Sequence, residues 1–247
     1  MKERPYILTI AGFDPTNGAG FSSDIKTFEA LKCYGLSVCT ANTVQSDVEF
    51  INCHWTSIEI IKAQIDILCK RFKIDIVKIG IIENWKTMSD IIDFLLELNP
   101  KIKIVVDPIL KSSTNFEFQS DFNSTIFNEM LSKIYLITPN YQEIENLFPN
   151  KTIEETIQHI QSKTNLFLKG GHNLEELGVD YLYSNNKVHK INPKNINFSE
   201  KHGSGCVLSA AIASYIALKH PLLKSCFKGK RYVEKILSSN KTLLGYH

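Results

Sequence analysis

The chain has no apolar run long enough to cross a membrane, and the short stretch Tyr6 to Ile10 behind its basic start is too brief for a signal-peptide core. It has no Cys-x-x-Cys pair, and its 6 cysteines, at positions 33, 39, 53, 69, 206 and 226, are not grouped with histidines at zinc spacing. Reduced thiols and a cytoplasmic setting are therefore expected. An excess of either charge sign is missing. The formal net charge is +2 and the one basic run, Lys228 to Arg231, reads as solvated helix surface, so neither nucleic acid nor a membrane is expected as a partner. No Ser/Pro/Gly-rich linker, charge block or internal repeat divides the 247 residues, and 43% hydrophobic content permits one large core. Residues 1–247 are expected to form a single domain.

What is present is an alternation of strand and helix signals. Apolar runs at Tyr6–Ala11, Leu36–Thr43, Ile76–Ile79, Ile102–Val106, Leu136–Thr138 and Leu166–Leu168 read as strands buried on both faces. Helical periodicity lies between them, at Phe21–Tyr34, Ser57–Phe72 and Thr87–Leu98, with capping boxes at Asn140/Glu143 and Thr152/Glu155. Asp180–Tyr183 and Lys187–Ile191, joined by Ser-Asn-Asn, predict a hairpin, and a last amphipathic helix is expected from about Lys230 to Leu243. This pattern predicts an α/β fold with a mostly parallel central sheet and helices on both faces.

The polar and glycine-rich motifs all follow strands, so they should gather along one edge of the sheet, where open α/β folds bind ligands. The first is the turn-rich loop Gly12 to Gly20; its Gly18-Ala-Gly-Phe-Ser-Ser23 lacks the third glycine of a dinucleotide fingerprint. Asp24 and Gln45 flank it, each with an innocent reading as a first-turn helix acid or a loop residue. Asp107 ends a buried strand, where a carboxylate is costly unless a charge meets it, making it the candidate metal-linked acid. Lys169-Gly-Gly-His172 is a further glycine turn. His202-Gly-Ser-Gly-Cys206 then runs into a long alanine-rich apolar stretch, which places Cys206 in the first turn of a buried helix. Free amide hydrogens and the helix dipole there suit a phosphate oxygen, and the same field should lower the thiol's pKa.

Read in order, Ala11-Gly-Phe-Asp-Pro-Thr-Asn-Gly-Ala-Gly20, Asp24-Ile-Lys-Thr-Phe28, Tyr34-Gly-Leu-Ser-Val38, Asp107-Pro108, Thr138-Pro-Asn-x-x-Glu143, Lys169-Gly-Gly-His172 and His202-Gly-Ser-Gly-Cys206 resemble the hydroxymethylpyrimidine/phosphomethylpyrimidine kinases of thiamine biosynthesis, over nearly the whole chain. The resemblance implies the ribokinase-like fold, a three-layer αβα sandwich. It also implies ATP- and Mg2+-dependent phosphorylation of a hydroxymethyl aminopyrimidine (HMP), first to the monophosphate and then to the diphosphate, and in many members a homodimer. Carried over by motif, Cys206 is the catalytic cysteine, as thiol or thiolate, within an anion hole of Gly203, Ser204, Gly205 and Cys206. Asp24 and Gln45 bond the pyrimidine, with Gly12 beneath it and Val44, Ile81 and Ile109 as apolar walls. Asp107, Asn140, Glu143 and Lys169 face the nucleotide phosphates, and Asp107 and Glu143 face Mg2+ through water.

Departures fall on the acceptor side. Ser204 replaces the usual threonine, Asn42 and Val44 replace leucine and alanine, Ser46-Asp-Val-Glu49 replaces an Asn-Thr-x-Gly segment, and Lys111-Ser-Ser-Thr-Asn115 lacks a glycine. A vitamin B6 kinase is the nearest rival, and a non-catalytic binding protein of the same fold is a second. A thiol hydrolase would leave the glycine loops unexplained.

Overall fold

The computed structural model describes residues 3–111, 118, 124–171, 176–194 and 199–247. His172 and the segment 112–115, both singled out above, lie outside them. A nine-stranded sheet runs through the chain in the order β3-β2-β1-β4-β5-β6-β7-β8-β9. Its strands are β1 (Tyr6–Phe13), β2 (Tyr34–Gln45), β3 (Phe50–Trp55), β4 (Ile74–Ile79), β5 (Lys103–Val106), β6 (Leu136–Ile137), β7 (Asn165–Leu168), β8 (Asp180–Ser184) and β9 (Lys187–Ile191). The central run β2-β1-β4-β5-β6-β7 is parallel throughout, and antiparallel pairs at β2/β3, β7/β8 and β8/β9 finish the two ends. The chain leaves β1 toward β2 on one side and returns to β4 on the other, which opens a crevice at the carboxyl ends of β1 and β4.

Side chains of the central strands alternate between two cores, as the period of a strand requires. Leu8, Ile10, Val77, Ile79, Ile104 and Val106 pack with the helices α2 (Ile58–Arg71), α3 (Trp85–Leu98), α4 (Ser124–Leu131), α5 (Tyr141–Leu147) and α6 (Ile153–Gln161). Ile7, Ile76, Val105, Leu136 and Phe167 face α1 (Gly20–Ala30), α7 (Ser204–Ala217) and α8 (Leu222–Leu237). This is the expected three-layer arrangement. Helix α7 is apolar nearly all round because it lies inside this second layer, buried from Cys206 to Ser214.

Both predicted capping boxes are formed, by Asn140 with Glu143 and by Thr152 with Glu155. The last helix differs from expectation: it starts after Pro221 and ends at Leu237 instead of running from Lys230 to Leu243. Its buried face includes Ser225, Lys230 and Glu234, so an apolar pattern underestimates it. Strand β3 and helix α4 have no counterpart in the sequence reading. The first is a short edge strand with no fully buried residue, and the second is short.

Candidate active site

The anion loop is built on a backbone constraint. Gly203 caps α7 at φ +75°, and a Cβ there would lie 2.1 Å from the Gly18 carbonyl oxygen, so only glycine fits. Ser204, Gly205 and Cys206 are the first three residues of the helix, where amide hydrogens lack intrahelical acceptors. The loop after β1 is stitched to this turn. Asp14 accepts from the amides of Thr16 and Ala19, each at 2.8 Å, and lies 2.9 Å from His202 Nε2. The Gly20 amide donates to Cys206 Sγ.

Charged groups converge from three strand ends below this turn. A Cβ built on Gly205 would sit 3.4 Å from Lys169 Nζ, which fixes the lysine directly beneath the anion loop. Lys169 donates to Asp107 Oδ1 at 2.8 Å and lies 3.5 Å from Glu143 Oε2. Asp107 also accepts from Thr138 Oγ1 and Ser209 Oγ, each at 3.1 Å, and its ion pair with Lys169 matches the expectation that its carboxylate must meet a charge. Burial alone would raise the Asp107 carboxyl, but Lys169 and Lys78 hold it below the ordinary carboxylate value. Glu143 is pushed the other way, to about 7, by burial and by Asp107. Asn140 joins the group through its capping box and a bridge to Lys169.

On the acceptor side, Gly12 lets Ile81 cross over it, since a Cβ would stand 2.4 Å from Ile81 Cδ1. Ile81 packs with Ala41 and Phe118, and Phe50, Trp55 and Ile109 surround them. Gln45, at the end of β2, lies opposite Phe50 in the β2/β3 ladder and donates from Nε2 to Thr43 Oγ1 at 2.8 Å.

A sequence model of the family described as phosphomethylpyrimidine kinase matches residues 14–247. The chain belongs to that family. It is 32% identical over 238 residues to the thiamine biosynthesis bifunctional protein of Geobacter sulfurreducens, a match that covers 93% of this chain but only 48% of that longer protein. Among solved structures, a phosphomethylpyrimidine kinase of Clostridium difficile superposes with a TM-score of 0.78 at 30% identity, covering 93% of this chain and 98% of that one. The pyridoxal kinase of Staphylococcus aureus, solved in complex with AMP-PCP, shares the fold with a TM-score of 0.83 at 22% identity over 96% of this chain and 89% of its own.

Within this phosphomethylpyrimidine kinase family chain, three sequence expectations change. Cys206 is not a low-pKa thiol: burial pushes it up to about 11, with Asp107 and Asp24 adding to the effect against Lys78 and the Gly20 amide. Asp24 does not reach the pocket. It is wholly buried, accepts from Thr9 Oγ1 at 2.6 Å and forms an ion pair with Lys78 at 2.9 Å, because its turn of α1 faces the sheet. Val44 is 44% exposed, on the face of β2 opposite Thr43 and Gln45, so its side chain forms no wall with Ile81 and Ile109.

Lys78 is the main group that the sequence reading missed. Burial disfavours its charge, yet Asp24, with Cys206 and Asp107 beyond, lifts its pKa above the ordinary lysine value. A lysine inside the apolar strand Ile76-Val-Lys-Ile79 was itself the signal, since a buried ammonium demands an acid partner. Asp14, His202, Thr43 and Ser209 were also missed as partners, for their roles depend on contacts between distant segments.

Proposed function

We propose that the chain is a kinase of thiamine biosynthesis that phosphorylates the hydroxymethyl group of HMP with ATP and then phosphorylates the product again to the diphosphate. The carrying observation is the gathering of two chemically distinct groups at the carboxyl ends of the parallel strands. The anion turn of Gly203, Ser204, Gly205 and Cys206 stands over Lys169, Asp107 and Glu143, while Ile81 crosses over Gly12 and packs with Ala41, Phe118 and Ile109 in an apolar cluster that we read, with Gln45, as the acceptor recess. A flat heteroaromatic alcohol suits the recess, and a nucleotide's phosphates suit the cationic end.

The proposed roles follow from these positions. Lys169 holds the nucleotide phosphates, and the first-turn amides of α7 receive the oxygens of the transferring group, where fixed dipoles stabilise developing charge. Cys206 enters as a neutral thiol, with about one part in 10^4 ionised at pH 7 given a pKa of about 11. It therefore shapes the anion hole and does not strip the acceptor in advance; in a loose transition state the hydroxyl proton leaves late. Asn140 holds Glu143 in place through the capping box.

Asp107 and Glu143 fit Mg2+ held through water. Both carboxylates lie against one cation, Lys169, and the rise of Glu143 comes first from its burial and then from Asp107. Mg2+ commonly keeps several waters and uses one or two carboxylates with substrate phosphates. When bound, it would neutralise charge on the phosphates during transfer.

The test is mass-resolved product formation with ATP and Mg2+, using HMP, its monophosphate and pyridoxal in parallel. Successive mono- and diphosphate from the pyrimidine is the expected result. Turnover of pyridoxal alone would assign the chain to vitamin B6 phosphorylation, and no turnover of any acceptor would make it a binding protein of the same fold.

A further inference from the structure

Thr43 precedes Gln45 by two residues on β2, so both side chains leave the strand on the same face. Thr43 is only 6% exposed. Its hydroxyl oxygen lies 2.7 Å from the Phe13 carbonyl oxygen and 2.8 Å from Gln45 Nε2. A threonine hydroxyl has one proton to give and lone pairs to accept with. A carbonyl oxygen only accepts, so the proton goes to Phe13. What faces Gln45 is then a lone pair, and the group that can meet it is the amide nitrogen, not the amide oxygen. The hydrogen-bond network thus sets which way round the Gln45 carboxamide sits.

That orientation leaves Gln45 with its oxygen and its second N–H outside the Thr43 bond. A carboxamide offering an acceptor beside a donor pairs with a ring edge that carries an amino group next to a ring nitrogen, as glutamine does with adenine. It mismatches an edge with a carbonyl or phenolate oxygen in place of the amino group, because two acceptors would then face each other.

We propose that Thr43 is a specificity-determining positioning residue: by fixing the orientation of the Gln45 amide, it selects acceptors with an amino group beside a ring nitrogen over those with an oxygen there. This rests on the reading that Gln45 meets the acceptor ring of an aminopyrimidine alcohol. Thr43 itself touches no reacting atom. It acts through Gln45, and the Phe13 carbonyl acts through Thr43.

The experiment compares the wild-type enzyme with Thr43→Val, which keeps the shape and removes the hydroxyl, and with Thr43→Ser, which keeps the hydroxyl. Initial rates are measured with HMP, with its analogue bearing oxygen in place of the amino group, and with pyridoxal. In Thr43→Val the KM for HMP should rise by about 10-fold and the preference for HMP over the oxygen analogue should fall by a similar factor. Its kcat and its KM for ATP should stay within about two-fold, and Thr43→Ser should behave as wild type. An unchanged preference in Thr43→Val, or a Thr43→Ser variant as impaired as the valine, overturns the proposal. A general loss of kcat and of ATP affinity in Thr43→Val, with the acceptor preference intact, also overturns it by showing a purely structural role. Wild-type enzyme that turns over pyridoxal but not HMP refutes the functional reading and the proposal together, whereas wild-type preference for HMP that survives in Thr43→Val refutes the proposal alone.

Discussion

At the scale of single residues, burial decides the chemistry of Cys206. A helix N-terminus favours a thiolate, and so does Lys78, but burial to 7% exposure together with Asp107 and Asp24 outweighs both. The thiol rises from 9.0 to about 11 on folding. The unfolded chain therefore releases this proton first as pH rises, so the contribution of Cys206 to stability is complete below about pH 9 and is lost between 9 and 11. Peptide-resolved alkylation should show the Cys206 rate climbing by about ten-fold per pH unit from 7 to 10. A plateau below pH 8 would mean a poised thiolate. Asp24 teaches the same lesson in reverse: its position after a glycine-rich loop and the need of Lys78 for an acid are both legible, whereas their pairing across 54 residues is not.

At the scale of elements, the strand, loop and helix order could be read from periodicity because apolar side chains dominate the buried faces of β1, β4, β5 and α3. It failed where burial is polar. Helix α8 buries Ser225 and Lys230, and β3 is a short edge strand in which no residue is fully buried. The loop after β1 and the turn before α7 were each recognisable, but their joint was not. The Asp14 to His202 contact at 2.9 Å spans 188 residues and fixes the anion turn against the first loop. His202→Ala should lower kcat by about ten-fold or more for both phosphoryl transfers while leaving the KM for HMP nearly unchanged, and His202→Gln, which keeps a donor, should recover part of the loss. If His202→Ala raises the acceptor KM and spares kcat, the clasp serves the recess and not the anion turn. The mass-resolved turnover assay reports both parameters.

At the scale of the whole molecule, the parallel sheet explains why residues from 12 to 206 meet at all. Gly12, Gln45, Ile81, Asp107, Asn140 and Lys169 each follow or end a strand, and the switch point at β1 leaves room between them. The sequence predicts that shared edge because strand polarity is common to all of them; it does not predict which side chains turn inward, as Val44 and Asp24 show. Among the described residues no helix is long and apolar enough to cross a membrane. On the proposed function, the same anion turn serves both the alcohol and its monophosphate. The measurement that tests this most directly is a step-resolved single turnover of wild type and Cys206→Ala, following HMP, its monophosphate and its diphosphate by mass. A shared anion hole built around a neutral thiol predicts that both transfers slow by a similar factor, about ten-fold or more. Loss of the first transfer with the second intact would contradict it and make Cys206 the acceptor of the hydroxyl proton.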